Sequence, residues 1–209
     1  MTQARKAILQ RLRAGDWSGA NKAPLQRDRA SGPRPKLASD PMTHFQDKLK
    51  ANVISFDEVG DASGIVASCM AFLQSHELPL QLCLAPHPLL LDLSWPETVA
   101  ARPGHVMNDD LTTVSVATAA IAETGSVVMS SSEQTPTEAN FLPDNFICIV
   151  KRSGLLAHME ELWEIQRQQS DQPPAVTNII SGPSRTADVE QTIQLGAHGP
   201  RRMHVIIIE

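Results

Sequence analysis

Two apolar runs near the end of the chain flank a polar loop, and this layout constrains the fold more than any other feature. Val176, Ile179 and Ile180 are β-branched and predict a buried strand that stops at Ser181. A second apolar run over 203–208 predicts the last strand. The polar loop therefore follows the carboxyl end of a strand, which is where open α/β sheets bind their ligands.

This loop carries groups that suit a small anion. Arg185 has a planar guanidinium that fits a carboxylate or a phosphate, and the hydroxyls of Ser184 and Thr186 lie beside it in the sequence. Asp188 and Gln191 have the spacing of a capping box, which predicts a helix from about residue 188 to Gly196. The unpaired N–H groups at the start of such a helix would add to an anion site.

A second polar insertion, Glu123-Thr124-Gly125-Ser126, interrupts the apolar segment 111–129. We predict that the two loops form one pocket, with Glu123 and His198 as candidate catalytic groups. The predicted substrate- or anion-binding residues are Thr124, Gly125, Ser126, Ser181, Gly182, Pro183, Ser184, Arg185, Thr186, Asp188 and Gly199. Each has a structural alternative: a carboxylate that caps backbone N–H groups, a turn histidine, or a glycine required by a turn.

The chain alternates helices with strands. Asp40-Pro41 predicts the start of a helix that carries Phe45 and Leu49. Further helices are predicted over 65–72 and 156–166, with a short one over 136–141, and a short strand or turn over 89–93. Strands are predicted over 80–84, 127–129, 146–150, 176–180 and 203–208. This order predicts an α/β fold with an open, largely parallel sheet covered by helices on both faces.

The charge distribution predicts two parts. Residues 1–36 hold nine Lys or Arg against two Asp, a net charge of +7, although the whole chain carries −5. We predict a basic N-terminal helix and flexible linker over 1–39 and a compact domain over 40–209. The arm would dock on the acidic domain or on a neighbouring subunit, as in a homo-oligomer, rather than on nucleic acid. The alternative is an arm that is simply solvated.

Several classes of protein are excluded by what the sequence lacks. No apolar stretch approaches the ~18 residues of a membrane span, and no signal-like segment follows the N-terminal charges, so we expect a cytoplasmic protein. Cys69, Cys83 and Cys148 are scattered among apolar neighbours and predict buried thiols. His198 and His204 lack the spacing of metal ligands, and His204 lies within a strand pattern, so no metal site is predicted.

The runs AETGS, SGPSRTADVE and GAHGPRRMHVIII resemble the LUD-domain family of lactate utilization protein C, over roughly residues 40–209. The resemblance implies a fold like that of phosphosugar isomerases and coenzyme A transferases, the NagB/RpiA/CoA transferase-like fold. It also implies a component of an L-lactate oxidation system that converts lactate to pyruvate with iron–sulfur partner subunits. Because this chain has no cluster-binding cysteine motif, we expect it to bind no cofactor and to be the non-redox subunit.

Two other functions fit the same pocket. In the first, the chain is a stand-alone enzyme that acts on a phosphorylated or acyl-coenzyme A metabolite, with Glu123 as base or nucleophile. Alternatively, it would be a sensor or scaffold that binds a small phosphorylated or carboxylate metabolite and contacts another protein through its basic arm.

Overall fold

The computed structural model describes residues 3–14, 34–169, 174–186 and 194–209. The chain divides into two compact units, residues 1–34 and 35–209. The first unit contains helix α1 (Gln3–Ala14), where the sequence predicts a basic helix. Much of the predicted linker lies outside the described residues, and residues 34–39 form neither helix nor strand. Within the described ranges, no helix combines the length and the apolar character that crossing a bilayer requires.

The second unit contains the remaining helices and all the described strands. Its helices are α2 (Pro41–Ala51), α3 (Ala62–Ser75), α4 (Pro88–Leu91) and α5 (Met159–Gln169), with 3₁₀ turns at Thr137–Asn140 and Arg152–Gly154. Its strands are β1 (Ser55–Val59), β2 (Gln81–Leu84), β3 (Ala100–Pro103), β4 (Thr112–Val116), β5 (Ala119–Ile121), β6 (Ser126–Ser130), β7 (Asn145–Lys151), β8 (Leu155–Leu156), β9 (Thr177–Ile180), β10 (Arg185–Thr186), β11 (Gln194–Leu195) and β12 (Arg202–Ile208).

Six strands form one parallel sheet in the order β1-β12-β7-β4-β2-β3. The prediction of an open, largely parallel sheet is therefore confirmed. β7 and β12 are apolar along almost their whole length because both of their faces are buried. Along β12, Val205 and Ile207 belong to one core cluster, whereas Ile206 and Ile208 belong to the other. This alternation follows from the two-residue period of a strand.

Helices cover both faces of this sheet, as predicted. On one face, α3 contributes Ile65, Cys69 and Leu73 to the core. On the other face, α2 contributes Phe45 and Leu49, both completely buried. Asp40 starts α2, since its carboxylate accepts hydrogen bonds from the N–H groups of residues 42 and 43 at 3.1 and 3.2 Å.

A second sheet, which the sequence does not indicate, lies on the α2 side. Its order is β8-β5-β6-β9, and β6 pairs antiparallel with both of its neighbours. Its inner residues, among them Val127 and Met129, share the core cluster of α2. Its outer residues, among them Ile121, pack against Leu162 of α5. The domain is thus layered as α3, parallel sheet, α2 with the second sheet, and α5.

The chain passes from one sheet to the other between two adjacent residues. The N–H of Ala117 donates to the carbonyl of Ile149 in β7 at 2.8 Å, and the N–H of Thr118 donates to the carbonyl of Val128 in β6 at 2.8 Å. The apolar segment that begins at 111 therefore supplies β4 to the parallel sheet and β5 to the second sheet. A continuous apolar pattern does not reveal this change of partner.

Three sequence predictions require correction or fall outside the described residues. Strand β9 ends at Ile180 as predicted, but it belongs to the second sheet, so the polar loop does not extend the carboxyl edge of the parallel sheet. Residues 89–91 form α4 rather than a strand or turn, because His87 caps it and Pro88 occupies its first turn. Most of the helix predicted over 188–196 lies outside the described residues, but Gln194–Leu195 pairs with Arg185–Thr186 as β11, so the end of that prediction is wrong.

His204 lies within β12, as its strand pattern predicts, and is buried in a closed hydrogen-bond network. The hydroxyl of Ser68 donates to the Asp57 carboxylate at 2.7 Å. Its oxygen must then accept from Nε2–H of His204, 3.0 Å away, and Nδ1 accepts from the Ser55 hydroxyl at 2.8 Å. Burial lowers the pKa of His204 below 6.5, although the Asp57 carboxylate opposes the shift. His204 is therefore neutral in the folded protein at neutral pH.

This network predicts that the domain loses stability in mild acid. Because the folded pKa of His204 lies below the unfolded value, unfolding takes up a proton once the pH falls below about 6.5, so the contribution is complete above that pH. We expect His204→Gln to reduce the fall in unfolding free energy between pH 7 and pH 5. One proton accounts for at most about 1.4 kcal/mol per pH unit.

The measurement is urea unfolding at half-unit pH intervals. The variant should retain part of the dependence, since burial and the charge of Arg202 also lower the pKa of His76. Equal slopes for wild type and variant would show that His204 does not titrate in this window.

Candidate functional site

The two polar loops singled out in the sequence meet in the structure. The Ser126 hydroxyl lies 2.6 Å from that of Thr124 and 2.6 Å from that of Ser181. These three hydroxyls form a continuous chain between residues that are 55 positions apart in the sequence. Ser126 is completely buried, so the contact is part of the packed structure.

Both loops also pack on the last turn of α2. The side-chain amide of Asn52 donates to the carbonyl of Thr124 at 2.9 Å. Gly182 has φ +136°, and a Cβ there would lie 2.9 Å from the Asn52 carbonyl oxygen. Gly125 has φ +65°, and a Cβ there would lie 2.5 Å from Cβ of Lys48. Both glycines are therefore required by backbone conformation and by close approach to α2.

Ser181, Gly182, Ser184, Arg185, His198 and Gly199 line a cavity of about 470 Å³, here called the amino-edge pocket. Strand β9 also lines it, as do Phe141 and Pro200, which lie just before β7 and β12 begin. It therefore lies at the amino-terminal edge of the parallel sheet. The N–H of Ser184 donates to the Pro200 carbonyl at 2.8 Å, and the N–H of His198 donates to the Ser184 hydroxyl at 3.2 Å. These bonds hold the two loops of the pocket together.

The same edge carries several cations. Arg185 and Pro183 also line a neighbouring cavity of about 340 Å³, together with Arg201 and Arg202. The guanidinium of Arg201 lies 3.3 Å from the Asp144 carboxylate. Thr186 is part of β10, and Asp188 lies outside the described residues.

Glu123 is not among the residues that line these cavities. Its carboxylate lies 3.3 Å from Nδ1 of His158, and both side chains are mostly buried, with exposures of 23% and 15%. The backbone N–H of Glu123 donates to the carbonyl of Ala157 at 3.1 Å. The structure thus joins Thr124, Ser126 and Ser181, but it pairs Glu123 with the segment that precedes α5. His158 was not anticipated from the sequence.

The three cysteines are free and buried, as the sequence predicts. They lie on α3, β2 and β7. Burial raises the pKa of the Cys69 thiol to about 12 and that of Cys83 to about 11, and it also raises the pKa of Cys148. All three are therefore protonated packing groups at neutral pH.

A third cavity, of about 400 Å³, was not anticipated from the sequence; it is here called the switch-point pocket. It is lined by His87, Val116, Ala117, Thr118, Ser130, Ser131, Ser132, Gln134, Thr135 and Lys151. The strand that follows β2 in the chain, β3, lies beside β2 at the edge of the sheet. The strands of this sheet that follow β4, namely β7 and β12, lie on the opposite side of β4. β2 and β4 are neighbours, so the strand order reverses between them. The pocket lies at their carboxyl ends, where open α/β sheets bind ligands.

Only weak local signals mark this pocket in the sequence. His87-Pro88 is a helix start, and Lys151 directly follows a predicted strand. Ser130, Ser131 and Ser132 follow the predicted strand over 127–129. Each signal is common by itself, and the order of the strands alone brings them together.

Comparison with known proteins identifies the larger part of this domain. Residues 111–208 match the model of the LUD domain family. This segment, a little under half of the chain, resembles a LUD domain. It begins at β4 and includes both polar loops and all of the switch-point pocket except His87. The family resemblance seen in the sequence is thereby confirmed.

Curated relatives similar to this segment include proteins named lactate utilization protein C. The chain is similar to lactate utilization protein C of Bacillus licheniformis, with 34% identity over 92 residues, which are 43% of this chain and 38% of that protein. The protein of the same name from Bacillus subtilis is 34% identical over 91 residues, 42% of this chain and 38% of that protein. The matched segment thus spans about two fifths of the length of these relatives.

A solved structure supports the fold across most of the chain. The crystal structure of a DUF162 family protein from Deinococcus radiodurans aligns with a TM-score of 0.60 and 16% identity. The alignment covers 84% of this chain and 100% of that one. At this identity the likeness establishes the fold alone.

The glycine contacts lead to a prediction about the loop of the LUD domain. Gly125→Ala should lower the stability by about 1–3 kcal/mol, because the added methyl group collides with α2 and the φ angle is positive. Gly60→Ala is the matched control, since a Cβ there has no neighbour within 4 Å. Thermal unfolding of both variants measures the difference. Equal midpoints would contradict the role of α2 as the support of the loop.

Proposed function

We propose that this chain is a non-redox component of an L-lactate oxidation system that acts in the cytoplasm with iron–sulfur partner proteins. The observation that carries the proposal is the LUD domain over residues 111–208, together with relatives named lactate utilization protein C. The matched segment covers less than half of those relatives. The activity and the partners of this chain are therefore inferred from that name and the site chemistry.

Electron balance supports the division of labour in this proposal. Oxidation of L-lactate to pyruvate releases two electrons and two protons. The electrons need an acceptor, and the buried thiols of Cys69, Cys83 and Cys148 are protonated packing groups rather than cluster ligands. Iron–sulfur clusters in partner subunits would accept the electrons and pass them onward.

The amino-edge pocket is proposed as a small-anion site. Arg185 supplies a guanidinium fork, and His198 and Ser184 supply further polar groups around the same cavity. Thr124 and Ser126 support the site through their hydroxyl chain to Ser181. The pairing of Glu123 with His158 favours a supporting role for Glu123 over that of a base in this pocket.

The proposal predicts that lactate oxidation requires this chain together with its partners. Companion iron–sulfur proteins from the same organism, supplied with L-lactate and a dye that accepts two electrons, should form pyruvate and reduce the dye in equal amounts only when the full chain is present. The chain alone should give no turnover, because the proposal places the electron acceptors in the partner proteins. Pyruvate formation and dye absorbance are measured together.

A heat-denatured sample of the chain is the control for this reconstitution. An unchanged rate without the chain would overturn the proposal. Turnover of a phosphorylated or acyl-coenzyme A metabolite by the isolated chain, abolished in Glu123→Gln, would instead support the stand-alone enzyme.

The anion site has its own test. Inorganic phosphate should raise the midpoint of thermal unfolding of the wild-type chain, because a ligand that binds only the folded state stabilises it. Arg185→Ala should weaken phosphate binding about tenfold or more, as expected for the loss of a charge-assisted hydrogen bond worth about 1.5–3 kcal/mol. Arg167→Ala removes the same charge from an exposed position on α5 and should leave the shift intact. Equal shifts in both variants would exclude Arg185 as the anion contact.

A further inference from the structure

We propose that the switch-point pocket is a second binding site, and that its ligand is a short 2-hydroxy monocarboxylate such as L-lactate. The choice of this ligand class rests on the proposed function. The existence of the site rests on its position in the sheet and on the side chains that line it.

The position is the first argument. The pocket lies at the carboxyl ends of β2 and β4, where the strand order reverses and the connecting segments diverge. His87 follows β2, Thr118 follows β4, and Lys151 ends β7. Reversal of the strand order opens a crevice that no connection fills, so ligands of open α/β sheets bind there.

The charge of the pocket is the second argument. Lys151 is the one permanently charged side chain among the lining residues, and none of them is acidic. Burial lowers the pKa of His87, and the charge of Lys151 lowers it further. The two side chains are thus electrostatically coupled, and His87 is neutral at neutral pH. The pocket accordingly presents a single positive charge to a ligand.

His87 is held in one tautomer. Its Nδ1 accepts a hydrogen bond from the N–H of Leu89 at 3.1 Å, as the cap of α4. A neutral ring that accepts at Nδ1 carries its proton on Nε2. His87 therefore offers one N–H donor, fixed by the fold, in a pocket that Lys151 also lines.

The hydroxyl groups are the third argument. Among the described residues, the hydroxyl of Ser130 is buried and has no hydrogen-bond partner. A buried hydroxyl without a partner costs free energy, so a hydrogen bond to a ligand would offset that cost. The Thr118 hydroxyl accepts from the N–H of Ser130 at 3.2 Å and keeps its own proton to donate. Val116 and Ala117 add apolar surface beside these groups.

Together these features select the class of ligand. One ammonium group balances one carboxylate, whereas a phosphate dianion would keep an uncompensated charge. Hydroxyl groups that both donate and accept suit the alcohol of a 2-hydroxy acid. The apolar surface of residues 116 and 117 suits a short alkyl group. A 2-hydroxy monocarboxylate has all three parts.

The site is separate from the amino-edge pocket. The two cavities come together where Ser130 of one pairs with Thr177 of the other, but their charged ends are separate. Lys151 ends β7, whereas Arg185 and Pro200 lie near the start of that strand at Asn145, roughly 20 Å away at about 3.3 Å per residue. No lactate-sized molecule spans that distance. Variants at Lys151 and Arg185 therefore test the two sites independently.

The experiment is calorimetric titration of the full chain with L-lactate, propionate and inorganic phosphate. We expect L-lactate to bind the wild type and to bind Lys151→Met at least tenfold more weakly. Ser130→Ala should also weaken the binding of L-lactate. It should have little effect on the binding of propionate, which has no hydroxyl group. Lys36→Met, an exposed lysine that lines none of the three cavities, and Arg185→Ala should bind L-lactate as the wild type does. Unfolding midpoints without ligand establish that each variant is folded.

Each other outcome overturns part of the inference. Equal lactate affinity in Lys151→Met and the wild type would show that lactate binds outside the switch-point pocket. Loss of lactate binding in Arg185→Ala alone would show that lactate binds in the amino-edge pocket. If Lys151→Met loses phosphate binding and keeps lactate binding, the proposed class of ligand is wrong. No lactate binding to the wild type would refute the site. The proposed function is judged separately, because the reconstituted system either needs the chain or does not.

Discussion

Burial of the central strands β7 and β12 on both faces is the constraint on which the rest of the domain depends. Ile147 and Ile149 face the core under α3, whereas Phe146, Cys148 and Val150 face the core under α2 and the second sheet. Strands of this kind are stable only if both faces are covered. The cover comes from a helix on one side and from a helix with a small sheet on the other. Polar groups are consequently displaced to the two ends of the strands, where the pockets lie.

The second sheet links this packing to the candidate site. β5 and β6 present Ala120, Val127 and Met129 to the central core, and the turn between them carries Thr124 and Gly125. That turn rests on the last residues of α2, which Phe45 and Leu49 anchor in the same core. The position of the polar loop therefore follows from core packing. A substitution in α2 would therefore alter the position of the loop even if α2 itself contacts no ligand.

Much of the fold is predictable from local patterns, and the site is predictable only in part. The Asp40 cap, the apolar periodicity of α3 and the β-branched run of β12 are local signals, so these elements appear near their predicted bounds. The passage from β4 to β5 depends on which distant strands accept the N–H groups of Ala117 and Thr118, and composition carries no trace of that choice. For the same reason β9 was assigned to the wrong sheet. The hydroxyl contact between Ser126 and Ser181 agrees with the expectation that the two loops meet, whereas the Glu123–His158 pair depends on the placement of β8.

The two ends of the parallel sheet differ in the kind of anion they suit, and the difference has a physical origin. At the amino edge, Arg185, Arg201 and Arg202 come from the loops around β10 and the start of β12, and their guanidinium groups favour ligands with several charged oxygens. At the carboxyl edge, a single ammonium group, a neutral imidazole and several hydroxyls favour a singly charged ligand that also has an alcohol. Because the length of β7 separates Lys151 from these arginines, a small ligand bound at one end does not occupy the other. A protein with these two sites would bind a hydroxy acid at the carboxyl edge and a second anionic group at the amino edge at the same time.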